Sequence, residues 1–317
     1  MWPTNPAKLN GMRPVPSAPS GGRDVAASRR RVTVRVPRSL REDRDDRKRG
    51  GTGRGRAGRM VRDRARLFDR EAERYDRIRP GYPAALIDDV LGPSPHGLSV
   101  LDVACGTGIA ARQMARQGAQ VAGVELNAGM AEIAERHGIP TEVAAFETWD
   151  PAGRTFDRVT CAQAWHWLDP EVSAGKAASV LRPGGRLCLF WNVGHYPGDL
   201  ADALHAAYQR VLPPGSPGTA TGYAAGQAGD PAAGFGAVAE TLAGRGGLTQ
   251  PQTASFPWSR AYTRDQWLDE LLTHSDHLAL APGVRDHLFA EIGAVIDRFG
   301  GAFRMPYLAV LVSATRA

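Results

Sequence analysis

The most constraining feature of the sequence is a regular alternation of short apolar runs and helix-like stretches between residues 99 and 212. Antiparallel neighbouring strands can be joined by a tight turn, whereas parallel neighbours need a long crossover connection. That connection is usually a helix, so strands that alternate with helices indicate parallel pairing. The alternation therefore predicts a parallel sheet that is covered by helices on both faces. The predicted strands are Ser99–Ala104, Ala119–Glu125, Thr141–Ala145, Phe156–Cys161 and Gly185–Asn192. The predicted helices lie near Ile109–Gln117, Ala128–His137, Glu171–Leu181 and Ala201–Leu212.

Two further strands are predicted near the end of the chain. "TASFPWSRAY" and "YLAVLVSATRA" are separated by helices near Arg264–Leu272 and Gly283–Arg298. Such a pair fits an antiparallel addition to the edge of the sheet. The predicted fold class is α/β: a Rossmann-like, doubly wound sheet of seven strands, mostly parallel, with an antiparallel C-terminal edge strand.

Charge divides the chain into two unequal parts. Residues 1–60 hold 16 Lys or Arg and five Asp or Glu, which leaves 23 basic and 28 acidic residues for 61–317. A segment so rich in Arg, Pro, Gly and Ser cannot bury a core, so we predict a disordered tail, with Met60 as an alternative start. The globular domain is predicted at 61–317, with a Gly/Ala/Pro-rich insertion at 213–250 near the substrate side.

Composition narrows the class of protein. The three cysteines lack metal-ligand spacing, and we expect neither disulfides nor a bound metal. No apolar run is long enough to span a bilayer, and the N-terminus has no secretory signal. We expect a cytoplasmic protein without a membrane partner. The mildly acidic domain makes a nucleic-acid partner unexpected.

The tight turn in "VLDVACGTGIAARQMA" is the first candidate ligand site. Gly106 and Gly108 leave room for a ligand to approach the backbone N–H groups. That pattern alone also fits dinucleotide-binding proteins, whereas no Gly-Lys-Ser/Thr follows for a nucleoside triphosphate. Asp102, four residues earlier, would repel a pyrophosphate and suits a cationic or amine-bearing ligand.

The next strand ends in a second acid. "QVAGVELN" places Glu125 where a carboxylate can accept hydrogen bonds from both ribose hydroxyls. A ribose, a positively charged or zwitterionic end and no phosphate describe S-adenosylmethionine. The predicted cofactor is therefore S-adenosylmethionine, with a nicotinamide-dependent oxidoreductase as the alternative that the glycine turn leaves open.

At this point the sequence resembles the class I S-adenosylmethionine-dependent methyltransferases. "VLDVACGTG", "VAGVELNAGM", "FDRVTCAQAWHW" and "VLRPGGRLCLF" match that superfamily in order. "RYDRIRPGYP" before the fold and "FRMPYLAVLVSATR" after it resemble the small-molecule branch that includes trans-aconitate-type methyltransferases. The resemblance covers about residues 62–317.

The resemblance implies a set of cofactor-binding residues. Asp102, Gly106 and Gly108 would line the methionine end, Glu125 would bind the ribose, and Leu126 would lie against the adenine. Ala145 stands where many relatives have an acid, so the adenine amine would be met by Phe146 backbone groups or Glu147. Gln163 would face the sulfonium, and Tyr75 and Arg79 would contact the cofactor carboxylate.

The acceptor side is less well defined by the sequence. His166, in the cluster Trp165–Trp167 after the fourth strand, is the candidate general base. A hydroxyl acceptor would need such a base, and a carboxylate acceptor would not. The C-terminal residues expected to shape a small substrate are His274, Ser275, His277 and Arg304.

The predicted function is methyl transfer to a small-molecule acceptor, a carboxylate or hydroxyl oxygen, by in-line displacement in a monomer or homodimer. Besides the oxidoreductase, two alternatives stay open. One is an RNA- or nucleic-acid-modifying protein that uses the basic N-terminal arm. The other is a cofactor-binding protein without catalysis.

Overall fold

A seven-stranded sheet forms the centre of the structure. The computed structural model describes residues 72–213 and 235–317. The predicted basic tail and residues 214–234 of the predicted insertion lie outside the described residues, so those two predictions stay predictions. The strands are β1 (Ser99–Val103), β2 (Gln120–Glu125), β3 (Thr141–Val143), β4 (Phe156–Ala162), β5 (Leu181–Gly194), β6 (Gln252–Thr263) and β7 (Ala302–Thr315).

Helices connect the strands as the alternation predicts. Several helices begin after a residue whose side chain caps the first turn. The Asn127 side chain, for example, accepts a hydrogen bond from the Met130 N–H at 2.8 Å. The helices are α1 (Ala72–Ile78), α2 (Ala84–Leu91), α3 (Ile109–Arg116), α4 (Ala128–Arg136), α5 (Pro170–Val180), α6 (Gly198–Val211), α7 (Phe235–Leu242), α8 (Arg264–Leu271), α9 (Ser275–Leu278) and α10 (Pro282–Arg298). Two 3-10 turns cover Trp165–Trp167 and Arg245–Gly247.

The strand order is β3-β2-β1-β4-β5-β7-β6. β1 to β5 pair in parallel, and β7 runs antiparallel to both β5 and β6. The predicted fold class is confirmed. β7 lies between β5 and the edge strand β6 because its apolar second half is buried on both faces, whereas most side chains of β6 are partly or fully exposed.

Alternate residues of the strands supply two cores, one on each face of the sheet. Val100 and Phe190 pack with α2 and α3 on one face. Leu101 and Leu189 pack with α5 and α7 on the other. A third cluster joins α6, α8 and α10 to the halves of β6 and β7 that carry Tyr262 and Tyr307, and we call this region the C-terminal cap. The central strands are therefore buried on both faces of the sheet.

Candidate active site

A pocket opens at the carboxyl ends of β1, β2 and β4. In a doubly wound sheet this edge is where ligands bind, because strand order reverses there and leaves a crevice between the helices. The segment Ala72–Pro83, which we call the lid, supplies one side of the pocket wall through Tyr75, Arg79 and Tyr82.

The glycine turn forms the floor of the pocket. Ala104, Gly106 and Gly108 all have positive φ angles, of 52°, 57° and 80°. Gly106 lines the pocket. A Cβ on Gly108 would lie 3.3 Å from the Cβ of Ala134, so this glycine allows α3 to pack closely on α4. The two glycines therefore have different tasks, and Gly108 is part of the helix packing rather than of the pocket wall.

Asp102 lies behind the turn and is fully buried. Its Oδ1 accepts a hydrogen bond from the Thr160 hydroxyl at 2.7 Å, whereas its Oδ2 has no hydrogen-bond partner among the described residues. Burial raises the pKa of Asp102 to about 7, against the opposing hydrogen bond from Thr160 and with a smaller contribution from the charge of Glu125. Its side chain is not part of the pocket wall, so contact with the methionine end of a cofactor stays a prediction.

Glu125 ends β2 and lines the pocket. Its Oε2 accepts from the Gly106 N–H at 2.9 Å and its Oε1 from the Asn127 N–H at 2.8 Å. Burial raises the pKa of Glu125, and the two backbone hydrogen bonds oppose that shift. The side chain is thereby held in one orientation, and each carboxylate oxygen keeps a second lone pair for a hydroxyl donor.

The predicted adenine-binding residues surround the adjacent part of the pocket. Leu126, Ala145, Phe146 and Glu147 all line it. Phe146 is buried and stacks on Trp149, with 6.3 Å between ring centroids. Glu147 Oε1 accepts a hydrogen bond from the Asp169 N–H at 3.0 Å, and contact of this carboxylate with an adenine amine stays a prediction.

Gln163 lies where β4 ends and lines the pocket. It is held at φ 60°, a conformation that non-glycine residues rarely adopt outside functional sites. Its N–H donates to the Phe190 carbonyl at 2.9 Å, and its side-chain Nε2 lies 3.4 Å from the Asn192 carbonyl oxygen. This residue is therefore fixed at the end of the pocket that the resemblance assigns to the sulfonium.

His166 does not occupy the position expected of a general base. Its side chain is exposed and is absent from the pocket wall, whereas the neighbouring Trp167 lines it. The reason is local: the 3-10 turn Trp165–Trp167 directs Trp165 into the core and places His166 on the outer side. A catalytic role for His166 stays a prediction that no contact described here supports.

The lid residue Arg79 connects the pocket to the C-terminal cap. Its Nη2 donates to the Thr273 carbonyl at 3.0 Å, and its Nη1 lies 3.8 Å from Oε1 of Glu270. The guanidinium also lies over the ring of Tyr75, 5.0 Å from its centroid. Arg79 and Tyr75 both line the pocket, as expected, and their contact with a cofactor carboxylate stays a prediction.

The predicted acceptor-side residues of the cap do not reach the pocket wall. His277 is buried and bonds to the Tyr208 hydroxyl at 2.8 Å, and His274 lies 3.5 Å from Glu270. Arg304 donates to the Ser259 hydroxyl at 3.0 Å on neighbouring β6. Burial lowers the pKa of His274 to about 4, so this histidine is neutral at physiological pH.

Sequence reasoning missed the residues that hold the lid. Gln113 and Asn192 bond to the lid backbone, at Tyr82 and Gly81. The only available signal was "RPGYP", which indicates a rigid turn but not its partners. Within residues 72–213 and 235–317, no cluster of three or more His, Cys, Asp or Glu side chains suits a metal ion, and none of the helices there is long and apolar enough to cross a membrane.

Part of the chain is similar to known methyltransferases. Residues 100–185, which include the glycine turn and Glu125, match the family model of a methyltransferase domain. An uncharacterised methyltransferase of Mycobacterium bovis is 37% identical over 134 residues, which cover 41% of this chain and 54% of that protein. A ubiquinone biosynthesis O-methyltransferase of Xanthomonas axonopodis is 35% identical over 132 residues, which cover 38% of this chain and 55% of that protein. The chain thus spans about half the length of these relatives.

One solved structure with a partial likeness to this chain is also named as a methyltransferase. A phosphoethanolamine N-methyltransferase of Haemonchus contortus, solved with S-adenosylhomocysteine, has a TM-score of 0.45 and 17% identity, and covers 81% of this chain and 59% of that one. The sequence match rests on the segment that carries the glycine turn, both acids and β4. On that match, residues 100–185 are similar to the methyltransferase domain family.

Proposed function

We propose that this protein transfers the methyl group of S-adenosylmethionine to a small-molecule acceptor. The observation that carries the proposal is a pair of buried acids at the glycine turn: Glu125, which lines the pocket, and Asp102, which lies behind the turn. The segment that holds these residues is also the one that matches the methyltransferase family model.

The residues present fit this cofactor. A buried carboxylate oxygen without a hydrogen-bond partner, such as Oδ2 of Asp102 among the described residues, favours a nearby positive charge. Glu125 offers carboxylate oxygens in a fixed orientation for a pair of hydroxyl groups. A dinucleotide fits less well, because two buried acids beside the turn would repel its pyrophosphate.

S-adenosylmethionine, when bound, supplies a methyl group that its sulfonium charge already activates. The protein then has to bind, orient and exclude water. Gly106 allows close approach to the turn, Glu125 orients the ribose, and the lid covers the reaction end. Gln163 borders that end and keeps its backbone fixed through the hydrogen bond to Phe190.

An oxygen acceptor, either carboxylate or hydroxyl, is part of the proposal. A carboxylate acceptor needs no base, which agrees with a pocket wall that lacks histidine among the described residues. The trans-aconitate-type branch assignment remains a prediction. The Xanthomonas relative is named for an O-methylation in ubiquinone biosynthesis, and an oxygen acceptor is in keeping with that name.

Calorimetry tests the donor. We expect binding of S-adenosylmethionine and S-adenosylhomocysteine and no binding of NAD. Glu125→Ala should weaken both by about 100-fold, because a paired, charge-assisted contact is lost. Glu135→Ala is the matched control: this acid is exposed on α4 and is not part of the pocket wall, so its removal should leave binding unchanged.

Tight NAD binding without binding of S-adenosylmethionine would contradict the proposal. The acceptor is sought by incubating the protein with labelled S-adenosylmethionine and a cell extract and identifying the labelled product. If no label is transferred while the donor binds, the alternative of a cofactor-binding protein without catalysis holds.

We further propose that the basic tail is dispensable for activity. We also propose that the protein is cytoplasmic and that it is a monomer or homodimer. Deleting residues 1–59 should leave donor binding and label transfer unchanged if the tail is dispensable. Loss of label transfer with intact donor binding would instead favour the nucleic-acid-modifying alternative, in which the arm holds the acceptor.

A further inference from the structure

Tyr82 is a lid residue that contacts both the sheet and helix α3. It lines the pocket, yet only 9% of its surface is exposed. Its ring packs edge-on against Phe190 of β5, with 4.8 Å between centroids and 89° between planes. An edge-to-face pair of this kind restricts the ring to one orientation.

The backbone of Tyr82 is fixed as well. The Gln113 side chain of α3 accepts from the Tyr82 N–H at 2.9 Å and donates to its carbonyl at 2.8 Å. The residue before it, Gly81, accepts from Asn192 Nδ2 at 2.9 Å. A Cβ on Gly81 would lie 2.8 Å from Oε1 of Gln113, so glycine is needed for this clamp.

The hydroxyl of Tyr82 is not used to hold the fold. None of the described residues forms a hydrogen bond with it, and it is not among the polar atoms that are buried from solvent without a partner. Burial raises the pKa of Tyr82 well above its usual range, with smaller contributions from Tyr75 and Asp102. The hydroxyl therefore keeps its proton at physiological pH and can donate a hydrogen bond.

We propose that Tyr82 binds the reactants, with its hydroxyl donating a hydrogen bond to one of their oxygen atoms, and that Gln113 is the residue that positions it. The inference rests on the proposed function. The accepting oxygen belongs either to the carboxylate of the methyl donor or to the acceptor. Both are hydrogen-bond acceptors, and the rigid ring suits a donor that must not move during transfer.

Tyr82→Phe removes only the hydroxyl. Calorimetry with S-adenosylhomocysteine and with 5′-methylthioadenosine, which lacks the carboxylate, separates the two sources. About tenfold weaker binding of S-adenosylhomocysteine alone assigns the hydroxyl to the donor carboxylate. Unchanged binding of both, with about tenfold slower label transfer to the extract, assigns it to the acceptor.

If Tyr82→Phe matches the native protein in both binding and label transfer, the inference is overturned. Weaker binding of both compounds also overturns it, because that result indicates a general change in the pocket. Failure of the native protein to bind S-adenosylhomocysteine would be a different result, since it contradicts the proposed function itself.

The positioning role of Gln113 has a matched control on the same helix. Gln117, one turn later, donates to Asp88 of α2 at 2.9 Å and does not contact the lid. Gln113→Leu should reproduce at least half of the tenfold effect of Tyr82→Phe, in whichever assay shows it, and Gln117→Leu should show none. In the double variant Tyr82→Phe/Gln113→Leu the effects should not multiply, because both act through one hydroxyl.

Gln113→Glu adds a second measurement. Its carboxylate still accepts from the Tyr82 N–H but cannot donate to the carbonyl, so we expect an effect between those of the native protein and Gln113→Leu. Fully multiplicative effects in the double variant, or an equal loss in Gln117→Leu, would overturn the positioning role. Thermal unfolding of each variant shows whether lid contacts or overall stability account for the change.

Discussion

The two halves of the pocket are built from different ranges of the sequence. The half around the glycine turn is local: Gly106 and Glu125, which share a hydrogen bond, are 19 residues apart. The half around the lid is assembled over long distances: Arg79 bonds to Thr273, 194 residues away, and Gly81 to Asn192, 111 residues away.

This difference affects how each half responds to change. The local half rests on a strand, a turn and a helix that the buried sheet holds in place, so its geometry follows from β1 and β2. The lid half depends on side-chain contacts between separate parts of the chain, and each contact can be lost without unfolding the sheet. We expect the turn to determine whether a cofactor binds, and the lid to determine how well it is oriented.

The largest effect is expected from a substitution in the glycine turn, in the local half of the pocket. Gly106→Val places a β-branched residue at φ 57° on the pocket wall, where the ligand must approach. We expect binding of S-adenosylmethionine to weaken by more than about 100-fold, as measured by calorimetry.

Gly108→Ala is the comparison for that variant. Its Cβ would meet Ala134 rather than the pocket, so we expect a loss of about 1–3 kcal/mol in the free energy of unfolding. Binding by the folded fraction should be nearly normal. Equal loss of binding in the two variants would contradict the division of tasks between these glycines.

The second-largest effect is expected from the charge of Asp102, which belongs to the local half of the pocket. Burial raises the pKa of Asp102 to about 7, so below that pH the carboxyl is protonated and a cationic ligand loses its counter-charge. The dissociation constant of S-adenosylmethionine should therefore rise as pH falls below 7, by up to about tenfold per unit. The neutral thioether of S-adenosylhomocysteine should show a smaller slope.

Asp102→Asn should remove most of that pH dependence of the dissociation constant of S-adenosylmethionine.

The same variant tests how Asp102 affects the stability of the fold. A carboxyl whose folded pKa lies above its unfolded value stabilises the fold at low pH and loses that contribution as pH rises from about 4 to 7. The difference in melting temperature between pH 5 and pH 8 should shrink in the variant; an unchanged difference would argue against the raised pKa.

The smallest effect is expected at the reaction end. His166 is exposed and outside the pocket wall, so His166→Ala should change label transfer by less than about twofold. A loss of more than tenfold with unchanged donor binding would identify His166 as the base after all. That outcome would also require the 3-10 turn Trp165–Trp167 to rearrange when the reactants bind.

The local half of the site could be predicted from sequence because its signals lie within short stretches. Asp102, Gly106 and Glu125 stand at strand ends that the apolar pattern marks directly. His166 illustrates the opposite case: sequence placed it after β4, but only the turn geometry shows that Trp165 enters the core and His166 does not. Glu147 lines the pocket as expected, but the sequence did not indicate that its carboxylate accepts a hydrogen bond from the Asp169 N–H.

The sequence by itself determined the strand and helix alternation, the glycine turn and the two acids, because periodicity and short-range spacing follow from backbone geometry. Tertiary structure alone decided that β7 lies inside the sheet, that Asp102 is buried behind the turn, and that Gln113 and Asn192 hold the lid over the pocket. These contacts join segments that are far apart in the chain. No local pattern specifies such partners, since they depend on how the whole chain packs around its core.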